Sequence, residues 1–270
     1  MTLKNTLYLI PVIYVAALLA LYVFQRNFLY FPNPIYTSPQ AAKAPKALKE
    51  LPARTEDGLD LKGWYGPATS KPFTIVFFHG NGDGLRTAAF TATPYLAAGY
   101  GFLLTEYRGY SGMPGSPTET GLYADARAYI KSLIASGVQE NNIILFGHSL
   151  GTGVVVQMAS EFHVRGLILL APYLSMAKVA QIRFPIFPAA YLTKDRYENF
   201  KKISDIHVPI LMANGGKDAV IPPSQGRELF ALANEPKRFA FIPEAGHNDL
   251  FDSEFVGISL RWLGQLAVAE

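Results

Sequence analysis

The chain has 270 residues, half of them hydrophobic and only 17% charged, enough apolar material for one large core plus an additional apolar segment. A net charge of +3, with no arginine-rich run and no basic–aromatic interleaving, excludes nucleic acid as an expected partner. The absence of cysteine excludes disulfides, a thiolate nucleophile and cysteine-ligated metal.

The N-terminus carries no charge between Lys4 and Arg26. As a helix, about 21 residues rising ~1.5 Å each span roughly 32 Å, the thickness of a bilayer's hydrocarbon core. Tyr8, Tyr22, Phe24, Phe28, Tyr30 and Phe31 are placed to form interfacial aromatic belts, and Pro11 is tolerated in a spanning helix. The expectation is a single-pass anchor over residues 1–27. A cleaved signal peptide lacks a clear A-x-A site here, and a buried core helix is disfavoured by length and position. The short tail with Lys4 leans to the cytoplasm and places the main domain on the non-cytoplasmic side, although Arg26 nearly balances that bias.

Residues 28–52, with Pro32, Pro34, Pro39 and Pro45, read as a linker or surface arm. Over 53–270 strands alternate with helices. Leu51–Arg54 and Leu59–Tyr65 read as strands around an Asp57-Gly58 turn, and Phe73–Phe78 as a buried strand. A helix over Thr87–Ala98, a strand over Phe102–Thr105 and a helix over Glu119–Ser136 follow. The strands Asn142–Phe146, Gly166–Leu170, Pro209–Ala213 and Arg238–Ile242 then alternate with helices from Thr152, Pro223 and Ser253. This order predicts an α/β fold with a mostly parallel sheet covered on both faces. A segment of about 171–205 interrupts the alternation and is expected to form a short cap, whose apolar stretch Ile182–Tyr191 faces either the domain beneath or a lipid-like ligand.

Gly147-His148-Ser149-Leu150-Gly151 fits G-x-S-x-G between a buried strand and a helix, the pattern of a nucleophile elbow. Its glycines remove Cβ atoms where strand and helix crowd and tolerate unusual backbone angles. A neutral serine needs a base and a group to orient that base. His247 follows the last strand, at the sheet edge where ligand sites collect, whereas His207 precedes a strand at the opposite edge. Asp218, in Asn214-Gly215-Gly216-Lys217-Asp218, follows a strand at the same edge as His247; Asp195 and Asp205 are alternatives in the cap or before the strand. Ser149, Asp218 and His247 are therefore the expected catalytic residues. The backbone N–H groups of Leu150 and Asn81 are the expected oxyanion donors, the latter in the loop His79-Gly80-Asn81-Gly82-Asp83-Gly84. That loop lacks the lysine of a phosphate-binding loop and the spacing of G-x-G-x-x-G.

With these pieces in place, the chain from about Phe28 onward resembles the α/β-hydrolase superfamily. It is closer to that superfamily's membrane-anchored serine hydrolases, which include monoacylglycerol and lysophospholipid lipases and protein depalmitoylating thioesterases. The likeness rests on Phe77-Phe78-His79-Gly80-Asn81-Gly82, Tyr107-Arg108-Gly109-Tyr110, the elbow, Pro209 with Gly216-Lys217-Asp218 and Ile221-Pro222, and Gly246-His247-Asn248-Asp249. Glu106 stands where the group usually has aspartate, and Ser111–Pro117 is unusually rich in proline and glycine. The resemblance implies an α/β-hydrolase fold and hydrolysis of carboxylic, lipid-like esters without metal or cofactor. Thioester hydrolysis, peptidase activity and a non-catalytic membrane-tethered scaffold are the alternatives. The sequence carries no signal for an oligomeric state.

Overall fold

The computed structural model describes residues 3–268. Met1, Thr2, Ala269 and Glu270 lie outside the described residues, as do the side chains before Leu9 and that of Ser253. The side chains of Lys4 and Tyr8, invoked above for orientation and interface, fall there.

The chain opens with one helix, α1 (Leu3–Leu29), which carries Pro11 inside it. Its segment Leu9–Leu29 is long and apolar enough to cross a membrane, with a mean hydropathy of 1.8. The helix ends two residues past the expected anchor limit at 27. The first strand, β1 (Lys49–Arg54), starts inside the expected arm of 28–52.

β1 and β2 (Asp60–Gly66) form an antiparallel hairpin, and Gly58 in its turn has φ +88°, a conformation that disfavours side chains. The remaining strands are β3 (Thr74–Phe78), β4 (Gly101–Leu104), β5 (Ile143–His148), β6 (Gly166–Leu170), β7 (Ile210–Gly215) and β8 (Lys237–Ile242). The sheet order is β1-β2-β4-β3-β5-β6-β7-β8; β2 pairs antiparallel with β4, and from β4 to β8 all pairings are parallel.

Strand alternation sorts the core into two layers. Val76 and Phe78, Leu145, Leu167 and Leu169 face one side, where they pack on α3 (Glu119–Ala135), α4 (Leu150–Ala159) and α7 (Pro223–Leu232). Ile75 and Phe77, Ile144 and Phe146, and Ile168 face the other, against α2 (Leu85–Ala97) and α8 (Ser253–Val268). With both faces covered, the strands are continuous apolar runs, as parallel strands require. The cap holds two short helices, α5 (Met176–Arg183) and α6 (Ala189–Leu192); Ser175 Oγ accepts the Lys178 N–H at 3.2 Å and starts the first of them.

The parallel register fixes where function can gather. Phe78 stands opposite Gly147, His148 opposite Leu170, and Gly215 opposite Ile242. The loops after β3, β5, β7 and β8 therefore leave one edge of the sheet side by side.

Candidate active site

The turn between β5 and α4 is tighter than the sequence suggests: Ser149 is the single residue between them. It has φ 50° and ψ −117°, so the unusual backbone angles fall on the serine and not on Gly147 or Gly151. A side chain held there stores about 1–3 kcal/mol of strain. The surroundings hold it: the Ser149 N–H donates to Leu170 O at 2.9 Å, and Thr152 Oγ1 donates to Ser149 O at 2.7 Å. Glycine at 151 is required by contact, since a Cβ there would lie 2.0 Å from the carbonyl oxygen of Phe78.

Ser149, His247 and Asp218 meet. Asp218 Oδ2 is 2.7 Å from His247 Nδ1, and His247 Nε2 is 2.9 Å from Ser149 Oγ. The other carboxylate oxygen, Oδ1, accepts the N–H groups of Val220 and Ile221, both at 2.8 Å. Asp218 is thus locked from behind, with its side chain fully buried and that of His247 only 9% exposed. The carboxylate can only accept, so Nδ1 carries the proton and Nε2 is left as the acceptor for the serine hydroxyl. One bond joins the two loops, Lys217 N–H to Ala245 O at 2.9 Å, and another fixes the His247 loop on itself, Gly246 N–H to Asp249 Oδ1 at 2.6 Å.

The alternatives lie elsewhere. His207 and Asp205 are exposed before β7, at the far edge. Asp195 is buried in an ion pair with Arg26 of α1 at 2.8 Å.

Of the two expected oxyanion donors, Leu150 is the first residue of α4, where helix geometry leaves its N–H without an intrahelical partner. The loop carrying Asn81 reaches Ser149 as well: a Cβ on Gly80 would sit 3.6 Å from the Ser149 Cβ. Asn81 is held on both sides. Its carbonyl accepts Phe31 N–H at 3.2 Å and Tyr110 Oη–H at 2.9 Å, and its Nδ2 donates to Leu29 O at 3.0 Å.

The segment Glu106–Tyr110 braces this loop. Tyr107 Oη donates to His79 O at 3.0 Å, while Arg108 is anchored by Asp57 and Asp125. Glu106 accepts three hydrogen bonds, from His79 Nε2 at 2.7 Å and from the N–H groups of Tyr107 and Leu85 at 3.0 Å. The other imidazole nitrogen, His79 Nδ1, faces Gly80 O at 2.7 Å. Both ring nitrogens face oxygen atoms, an arrangement that favours the protonated imidazole. Burial alone would push its pKa down, but the charge and hydrogen bond of Glu106 outweigh that and raise it above the ordinary value.

A raised imidazole pKa means stability that is complete below the unfolded value of about 6.5 and lost as pH rises through the folded one. Thermal melts are therefore expected to show wild-type Tm falling as pH rises above about 6.5. Glu106→Gln should lower Tm by several degrees at pH 6 and flatten that slope. A flat wild-type profile with an unaffected variant would contradict the buried ion pair.

His148, the variable residue of the elbow, was not singled out by the sequence. Its ring lies against that of His247, centroids 5.3 Å apart, and its Nδ1 is 3.8 Å from Asp83. Desolvation pushes the Asp83 carboxyl up, but His148 and His79 more than offset it and hold it below the ordinary value. The position in G-x-S-x-G next to the nucleophile was the available signal.

The fold and this sheet-edge constellation define a hydrolase of the α/β type. Residues 75–203 match the model of the alpha/beta hydrolase family. The chain belongs to that family: over 200 residues it is 32% identical to the human alpha/beta hydrolase domain-containing protein 17B, covering 73% of this chain and 67% of that one. It is also 36% identical over 251 residues to an uncharacterized protein of Mycobacterium tuberculosis, covering 89% and 88% of the two chains. Among solved structures, an esterase of Pyrococcus furiosus superposes with a TM-score of 0.71 at 17% identity, over 88% of this chain and 98% of the other. An acetyl xylan esterase from Paenibacillus sp. R4 gives 0.66 at 17% identity, over 82% and 84%. At these identities the likeness is one of fold.

Proposed function

We propose that this protein is a membrane-anchored serine hydrolase that cleaves carboxylic esters of lipophilic acids. The observation that carries the reading is the continuous line of hydrogen bonds from Asp218 through His247 to Ser149, at 2.7 and 2.9 Å. Ser149 Oγ attacks the acyl carbon while its proton passes to His247 Nε2; Asp218 stabilises the imidazolium that forms. The negative charge that develops on the carbonyl oxygen is met by the N–H groups of Leu150 and Asn81. His247 returns the proton to the leaving alkoxide, and the acyl group remains on Ser149. Water then attacks the acyl-enzyme, giving up a proton to His247, and the free acid departs as Oγ is reprotonated.

The membrane part of the reading rests on the apolar segment Leu9–Leu29, whose residues are exposed except for one half-buried face against the cap. A bilayer would cover it. The tail with Lys4 leans to the cytoplasm and so sets the catalytic domain on the opposite side.

A substrate panel tests the proposal. Full-length protein in detergent is expected to hydrolyse aryl esters and monoacylglycerols with burst kinetics, the mark of an accumulating acyl-enzyme when deacylation is slower. Turnover confined to acyl thioesters would move the assignment to thioesterase. No turnover across the panel would favour a scaffold.

A further inference from the structure

The C-terminal half of α1 does not stand clear of the domain; it lies along the cap. Ala17, Leu18, Leu21, Gln25 and Leu29 are the half-buried positions of that half of the helix, spaced by helical steps on one face. Gln25 and the cap exchange hydrogen bonds, Nε2 to Leu192 O at 3.2 Å and Oε1 from Lys194 N–H at 2.7 Å. Tyr14 Oη donates to Ile186 O at 3.1 Å, and its ring stacks on Phe187 with centroids 5.2 Å apart. From Tyr14 to Leu29 these contacts follow about 22 Å of helix.

Between helix and cap they leave a cleft of about 160 Å³. Leu18, Leu21 and Leu29 line one wall; Val179, Ala180 and Phe184 line the other. Three charged residues also line it, Arg26, Arg183 and Asp195, of which Arg26 and Asp195 pair at 2.8 Å. Its inner end is Leu29, whose carbonyl is held by Asn81. The residue before Asn81, Gly80, lies against Ser149. Its outer flank is apolar too. No charged residue occurs between Arg183 and Lys194, and in that stretch Ile186 is 78% and Tyr191 88% exposed. A surface of this kind beside a bilayer-spanning helix shares the helix's lipid surroundings.

We propose that this cleft is the acyl-chain site of the enzyme, with α1 as one of its walls, and that it takes a long unbranched acyl chain sideways from the bilayer. The inference rests on the serine hydrolase reading. The occupant follows from the lining: a mostly apolar slot, walled by the chain's own helix, one of whose lining residues, Leu29, is bonded to the loop that carries Asn81. Another cavity, of about 200 Å³, is lined by His148, Asp83, Asn248 and Phe90 and offers the polar groups that suit a leaving group instead.

The test uses full-length protein in lipid nanodiscs, with p-nitrophenyl palmitate and p-nitrophenyl acetate as substrates. Leu21→Trp and Ala180→Trp fill the cleft from opposite walls. Each is expected to lower the palmitate-to-acetate ratio of kcat/KM by roughly tenfold or more. A diazirine-bearing palmitoyl ester should crosslink to the 18–29 and 176–187 segments of Ser149→Ala protein, and excess unlabelled palmitoyl ester should suppress it. That arm reads occupancy without turnover, so the site is judged even if the tryptophan variants misfold. A ratio unchanged in both variants, one that moves only in Phe90→Ala, or crosslinks confined to the second cavity overturns the proposal. If neither ester is cleaved by the wild type while the crosslinks still map to the cleft, the hydrolase reading fails and the chain-binding site stands.

Discussion

Ser149→Ala is expected to lower kcat for ester hydrolysis by about four orders of magnitude or more, because a nucleophile and its base act as a unit whose loss leaves only binding and oxyanion stabilisation. The fold should tolerate the change. Alanine keeps the Cβ that already sits at φ 50°, and the backbone bonds of residue 149 to Leu170 and Thr152 are untouched. What is lost is the single contact from Oγ to His247 Nε2. One such hydrogen bond contributes about 1 kcal/mol, so Tm should move by only a few degrees in either direction. Turnover within tenfold of wild type, from a variant whose melt is unchanged, would exclude Ser149 as the nucleophile.

Asp218→Asn is expected to cost about 10⁴ in kcat with the fold intact. The reason is written in the acceptor pattern. The N–H groups of Val220 and Ile221 both point at Oδ1, so an asparagine must turn its carbonyl oxygen toward them. Its NH₂ group then faces His247 Nδ1, which can no longer keep its proton there. The imidazole switches tautomer, Nε2 becomes a donor, and the Ser149 hydroxyl has no base. The rate of fluorophosphonate labelling should fall in parallel with kcat, since both report the same activated oxygen. A loss smaller than tenfold in both would mean that Asp218 does not set the tautomer of His247.

The parts that were legible in the sequence are those where chemistry dictates residue type and place. The elbow needs small residues around a serine between a strand and a helix, and the strand-helix alternation fixes which loops share an edge. The order of Ser149, Asp218 and His247 along the chain could therefore be turned into an expected meeting point, and the structure brings the three side chains together. Boundaries were less legible. β1 begins at Lys49, in a stretch whose residues are mostly exposed, because an edge strand needs no alternation of apolar residues and accepts Pro52. The length of the elbow was not legible either, since only backbone geometry reveals that one serine separates β5 from α4.

Contacts between distant residues left no local pattern at all. Arg26 and Asp195 are 169 positions apart, and nothing near either one announces the other. The same holds for the seat of the cap. Its apolar stretch packs on α1, as Phe184 against Phe28 and Phe187 against Tyr14 illustrate, and no local pattern announces that contact. Glu106 was noticed only as a departure from aspartate. Its meaning comes from the three donors that converge on it, His79 at the start of the Asn81 loop among them.

The central claim is that one hydroxyl, activated at one edge of the sheet, does the chemistry. Peptide-level mass spectrometry of full-length protein treated with a fluorophosphonate tests it most directly. A single phosphonyl adduct on Ser149, formed in the wild type and absent from Ser149→Ala, is the expected result. An adduct on another residue, or an intact protein that stays unmodified at saturating probe, would contradict it.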